Sequence, residues 1–237
     1  MSMPNTRHRD AQTGVDEDNP LARRIVEVYH LLFERYGPQH WWPADMPFEV
    51  IVGAILTQSA AWANVEKAIA NLRREDALNP AAIRALPMER LAHLIYPSGY
   101  YNAKARKLRA FVDHLGERYA DSLDRLFALD TASLRAELLA VHGIGPETAD
   151  SIILYAARKP IFVVDAYTVR VMARLGLADN GTDYHSLQAL FTSSLPHDES
   201  LFNEYHALLV RHGKDVCKKS PQCDGCCLAL ICASPGA

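Results

Sequence analysis

Nothing before residue 217 is a cysteine. The five in the chain, Cys217, Cys223, Cys226, Cys227 and Cys232, all fall in its last stretch. A secreted domain stapled by disulfides spreads its cysteines to tie distant segments together, so that architecture is excluded and a local metal site is favoured. Long apolar runs are also missing: no window approaches the ~20 uninterrupted apolar residues of a membrane-spanning helix. Nor is there an excess of basic charge. Lys and Arg number 25 against 28 Asp and Glu, giving a net charge of −3 and a pI near 6.4, which counts against a protein that simply coats nucleic acid. Some of that acidity (Asp10, Asp16, Glu17, Asp18) lies in a polar N-terminal stretch with no apolar core. That stretch does not read as a secretory signal, and residues 1–19 are expected to be a disordered tail.

What remains is an ordinary globular composition, 49% hydrophobic and 22% charged over 237 residues, enough to bury a real core. Helical periodicity dominates. LARRIVEVYHLLFERY carries an apolar stripe from Leu21 to Tyr36 and stops at Gly37-Pro38. PFEVIVGAILTQ reads as a buried helix, and helices are also expected from Asn64 to Leu72, from Asn79-Pro80, from Leu86-Pro87 to Ile95, and from Asn102 to Tyr119. Further helices are expected at Ser122–Ala128, after Asp130, and at about 166–175, 184–194 and 198–212. Only Ile161–Val164 is strand-like, and with no partner strand it reads as a buried connector. The expected class is all-α, without a fixed-period repeat. Two basic clusters, Lys104/Arg106/Lys107/Arg109 and Arg211/Lys214/Lys218/Lys219, are either phosphate grips or solvated helix faces.

The chemistry concentrates between Leu134 and Val171. There a helix leads into His142-Gly143-Ile144-Gly145, a second helix opens at Pro146, and the apolar connector delivers Asp165 to the start of a third. Two glycines permit positive φ and close backbone approach, and free amides at a helix N-terminus face an anion. Gly143, Ile144 and Gly145 are therefore candidate contacts to a nucleic acid backbone, independent of its sequence. Asp165 is either an N-cap or a carboxylate placed for catalysis; the two roles are compatible.

The pattern LxxxxGIGxxTAxxIxxYAxxxxxFxVDAYTxRV, together with PFEVIVGAILTQ and GYYNAKA, resembles the helix-hairpin-helix DNA glycosylases of the endonuclease III superfamily over roughly Pro47 to Cys232. The resemblance implies a six-helix barrel over 47–160, with the helix-hairpin-helix at about 131–157. A second helical domain would be formed by both chain ends, 20–46 and 161–237. It makes Asp165 the catalytic aspartate, stabilising oxocarbenium character on the sugar and orienting the attacking water. Members that also nick DNA carry a lysine just inside the helix after the hairpin, whose amine forms a Schiff base. Glu147 stands there, and a carboxylate cannot form an imine. Glutamate at this place, with VVDAY, is similar to the branch that removes 3-methyladenine and related alkylpurines. Glu147 either lines the base pocket or is a first-turn acid set against the helix dipole.

The resemblance also implies that Gln58 or Ser59, and Tyr100, fill the gap left by a flipped base. Trp62 and Trp42 are candidate stackers, though Trp42 reads first as a core residue. Lys214 either reaches the pocket or is solvated. In the cysteine loop the spacing is Cys217-x5-Cys223-x2-Cys226-x5-Cys232, which four thiolates on zinc or on a 4Fe–4S cluster would satisfy. By resemblance the group is 4Fe–4S, folding a loop that presents Lys218 and Lys219 to phosphate. The first interval is one residue shorter than the family's usual one, and Cys227 is left over as a possible substitute for Cys226. The expectation is a monomeric, intracellular (cytoplasm or nucleoid), monofunctional glycosylase acting on double-stranded DNA with a damaged base. The alternatives are an oxidised-pyrimidine glycosylase with weak or no strand cleavage, and a non-catalytic damaged-DNA-binding protein.

Overall fold

Asn19 starts the first helix by accepting from the backbone N–H groups of Leu21 and Ala22, and Gly37, at φ +66°, ends it. The computed structural model describes residues 19–41, 46–179 and 181–234, so residues 1–18 of the expected tail and Trp42 lie outside the described residues, while Asn19, placed in that tail, belongs to the helix start. The helices are α1 (Pro20–Tyr36), α2 (Pro47–Leu56), α3 (Trp62–Arg74), α4 (Pro80–Ala85), α5 (Met88–Leu94), α6 (Tyr101–Tyr119), α7 (Leu123–Phe127), α8 (Thr131–Leu139), α9 (Pro146–Ser151), α10 (Ala166–Arg174), α11 (Tyr184–Ser194) and α12 (Glu199–Asp215). Among the described residues there is no strand. Capping chemistry sets many starts: Asn79, Ser122, Asp130, Asp165, Asp183 and Asp198 each accept from an N–H of the helix they precede.

Every residue of α2 after Pro47 is buried, and α3, α6 and α9 pack against it. At the other side α1 packs on α11 and α12, and α10 on α12. The connector Ile161–Val164 is fully buried between these groups and irregular in backbone, as its lone apolar run suggests. Phe162 stacks on Phe191 with ring centroids 3.8 Å apart and meets Phe202 and Tyr205 edge-on.

One buried carboxylate organises the approach to Asp165. Asp150, with no solvent exposure, accepts from Arg135 Nε at 2.7 Å, Tyr184 Oη at 2.8 Å and Gln188 Nε2 at 2.7 Å. It thereby ties α8 and α11 to α9. Gln188 also donates to Phe162 O at 2.6 Å, which holds the connector in line.

Two members of the first basic cluster, read as either phosphate grips or a solvated face, are neither. Lys104 is buried and donates to Leu56 O at 2.8 Å and Ser98 O at 2.6 Å. Arg109 donates to Ile83 O and Leu86 O. Both cations satisfy carbonyls left over at helix and turn ends, so the helix periodicity that placed them inward outweighs their charge.

Replacing Asp150 with alanine leaves Arg135 without its buried partner and frees the connector. A loss of about 3–5 kcal/mol is expected, the range for breaking one side of a buried pair, measured by urea unfolding. A loss under about 1 kcal/mol, as for a surface pair, would show that Asp150 is not an organising contact.

Candidate active site

The chain turns between α8 and α9 through Gly143, at φ +83°, where a side chain would also run into the Lys107 stem. Glycine is required twice over, by backbone and by space. Gly145 precedes α9 with no side chain capping that helix. Ile144 departs from the expected DNA contact. Its side chain is buried in the core and its N–H donates to Val141 O at 3.1 Å, so it shapes the hairpin from within.

Gln58 clasps the same hairpin. Its Nε2 donates to Thr148 Oγ1 at 2.8 Å and Gly143 O at 3.2 Å, and its Oε1 accepts from Lys107 Nζ. The polar helix-end residue is therefore spoken for by protein groups, and the two residues left at the tips are Ser59 and Tyr100. Both adopt left-handed backbone, φ +52° and φ +44°, a conformation that is strained for residues other than glycine. Ser59 is exposed, and Tyr100 is 75% exposed. Lys104 joins the carbonyls at the base of both segments. Trp62 sits half-buried at the start of α3, its Nε1 donating to Glu66.

Asp165 caps α10. Its Oδ1 accepts from Thr168 N at 2.7 Å and Thr168 Oγ1 at 2.9 Å. Its Oδ2 lies 3.8 Å from His206 Nε2, with 14% of the side chain exposed. Across from it stands Glu147, in the first turn of α9. Glu147 has exposed area, yet desolvation by the surrounding protein, and then the charge of Asp165, push its carboxyl up to about 7. α9 widens into a π-wound turn over Ile152–Ala156, which carries Tyr155 against His206 Nδ1. Sequence reasoning missed His206 and Tyr155. The only signal was a histidine amid the buried residues of α12.

A carboxylate held by a helix cap, a second carboxyl with raised pKa, and a glycine turn beside both are a constellation for cleaving a glycosidic bond. Residues 52–197 match the family model described as the HhH-GPD superfamily base excision DNA repair protein. The chain belongs to this superfamily. It is a base-excision DNA glycosylase with the all-helical endonuclease III fold. It is 44% identical over 211 residues to a Methanocaldococcus jannaschii protein named "Putative DNA repair glycosylase", covering 89% of this chain and 96% of that one. It is 31% identical over 217 residues to the Endonuclease III of Thermotoga maritima, covering 90% of each. Among solved structures it is similar to the H. pylori 3-methyladenine DNA glycosylase bound to 1,N6-ethenoadenine: TM-score 0.68, 28% identity, 82% of this chain and 97% of that chain covered.

In the glycosylase's C-terminal loop, Cys217, Cys223, Cys226 and Cys232 line one cavity, walled by Val171, Leu175 and Leu228. Cys227 is not among the lining residues. Arg174 donates to Cys217 Sγ at 3.3 Å and to the carbonyls of Lys218 and Lys219. Arg170 donates to Cys217 O, and Arg24 to Ile231 O. Among the described residues no three Cys, His, Asp or Glu stand together as a site for a single metal ion. Lys214, Lys218 and Lys219 are exposed, with Lys218 Nζ on Gln222 at 3.3 Å.

The raised carboxyl of Glu147 has a consequence for stability. Its folded pKa lies above the unfolded value of 4.5, so folding favours the protonated form. That advantage is complete below pH 4.5 and is lost as pH rises through about 7. Glu147→Gln should therefore raise the melting temperature at pH 8 and leave it unchanged near pH 4. An equal shift at both pH values would mean that the ionised carboxylate is not disfavoured by its surroundings.

Proposed function

We propose that this glycosylase is monofunctional and removes alkylated purines such as 3-methyladenine from double-stranded DNA. The observation that carries the reading is Glu147, a carboxyl beside Asp165 at the place where nicking members keep an amine. In this reading the duplex backbone lies on the hairpin at Gly143 and Gly145, and Ser59 and Tyr100 enter the space of the flipped nucleotide. Trp62 and Lys214 border the pocket.

The bond between C1′ and the base nitrogen breaks with its electron pair leaving on the base. Asp165 stabilises the positive charge that builds on the sugar. Water then attacks C1′ and gives its proton to Asp165, leaving an intact abasic site. An alkylated purine is already cationic, so its departure needs little protonation, and its charge draws the Glu147 carboxyl, pushed up to about 7, toward the ionised form that favours it in the pocket. The H. pylori relative, named for 3-methyladenine, supports this substrate class. The Thermotoga Endonuclease III supports the second reading, oxidised pyrimidines with weak or no strand cleavage.

The four lining cysteines fit a 4Fe–4S cluster in donor number, in sharing one apolar-walled cavity, and in leaving Cys227 outside it. When bound, the group supplies a cross-link that pins the loop rather than chemistry at the sugar. Arg24, Arg170 and Arg174 fix the loop backbone so that Lys218 and Lys219 face the phosphates. We read 47–160 as the barrel, and 20–46 with 161–237 as the second helical domain. The packing of α1 on α11 and α12 supports that division. The reading is of a monomer acting on DNA inside the cell.

Duplexes each carrying one defined lesion, incubated with the protein and resolved with and without alkali, test this directly. Release of an alkylated purine, with strand breaks appearing only after alkali, is expected. Excision of an oxidised pyrimidine in preference, or breaks before alkali, would favour the second reading.

A further inference from the structure

The second oxygen of Asp165 has a protein group aimed at it that the reaction described above does not use. His206 is 6% exposed and its Nε2 is buried without a hydrogen-bond partner. That nitrogen lies 3.8 Å from Asp165 Oδ2, somewhat beyond hydrogen-bond length, and among the described residues no other polar group bonds it. The other ring nitrogen, Nδ1, bonds the hydroxyl of Tyr155. An ionised carboxylate only accepts, and a neutral imidazole has one N–H. The arrangement is self-consistent in one tautomer, with Tyr155 Oη donating to Nδ1 and Nε2–H pointing at Asp165. The indole N–H of Trp41, which can only donate, approaches the Tyr155 oxygen short of a full hydrogen bond and favours the same direction.

We propose that His206, oriented by Tyr155, is a positioning residue for Asp165: its Nε2–H closes on Oδ2 and keeps the carboxylate turned toward the sugar. This rests on Asp165 being the catalytic carboxylate. Thr168 fixes only Oδ1, which leaves rotation about the Cβ–Cγ bond to be settled by what faces Oδ2. Burial holds the imidazole neutral, against the opposite pull of the Asp165 charge. A neutral donor orients the anion without cancelling the charge that the sugar needs. The widened π turn has a use in this arrangement, since it carries Tyr155 and all of its residues are buried; such turns recur at functional sites. Along the chain, His206 on α12 and Tyr155 next to α9 come together with Asp165 only through the fold.

Single-turnover release of a lesion that the wild type excises, at saturating enzyme, tests the assignment. His206→Leu should slow release about 10- to 100-fold, the loss expected for one hydrogen bond to a charged group, with affinity for DNA carrying an abasic analogue unchanged. His206→Gln, which returns an N–H to a similar place, should recover most of the rate, and Tyr155→Phe should fall between them. In an Asp165→Asn background, His206→Leu should cause little further slowing, because the two groups act as one. A wild-type rate in His206→Leu, or the same loss in both backgrounds, would overturn the proposal while leaving Asp165 catalytic. Asp165→Asn releasing base at the wild-type rate would instead bring down the active-site reading itself. Should His206→Leu fail to fold, Tyr155→Phe and His206→Gln decide: a slow Phe variant with an active Gln variant supports the proposal, and a wild-type rate for Tyr155→Phe defeats it.

Discussion

The buried carboxylate of Asp150 is the contact on which the placement of the chemistry depends. Removed from water, it is tolerated because Arg135, Tyr184 and Gln188 all donate to it. Those three donors come from α8, the helix before the hairpin, and from α11, the second helix after the connector. Gln188 spends its second N–H on Phe162, three residues before Asp165. Hairpin and Asp165 are therefore two ends of one polar knot set in an apolar core. A glycosylase that must hold a phosphate and a sugar at a fixed separation needs such rigidity.

Within that frame, two carboxyls are treated differently by their surroundings. Asp165 is held by an N–H and a hydroxyl from Thr168. Glu147 keeps exposed area, yet desolvation by the surrounding protein and then the charge of Asp165 raise its carboxyl to about 7. In the proposed reaction Asp165 faces the cationic sugar and Glu147 meets the damaged base.

Much of this was legible in the sequence because local rules govern it. Cap residues such as Asn79, Asp130 and Asp165 announce helix starts, and Gly37 announces a stop. The spacing from Gly143 to Asp165 carries the resemblance to the glycosylases. Long-range contacts were not legible. Lys104 and Arg109 look like a basic patch until helix packing buries one and gives the other two backbone carbonyls. Gln58 looks like an exposed helix end until the hairpin, 85 residues on in sequence, closes over it. His206 and Tyr155 lie 51 residues apart, on elements whose facing sides no local pattern specifies. The cavity that takes in Cys226 and leaves out Cys227 likewise depends on how the loop is stitched down by arginines from two other helices.

The proposed water-only chemistry requires that Glu147 occupy the place of a nicking enzyme's amine. The most direct test is borohydride trapping on abasic DNA, comparing the wild type with Glu147→Lys. The wild type should give no covalent adduct, whereas the variant, once shown to be folded and to bind DNA, should form one through the introduced amine. An adduct with the wild-type protein, or a folded, DNA-bound variant that never traps, would contradict it.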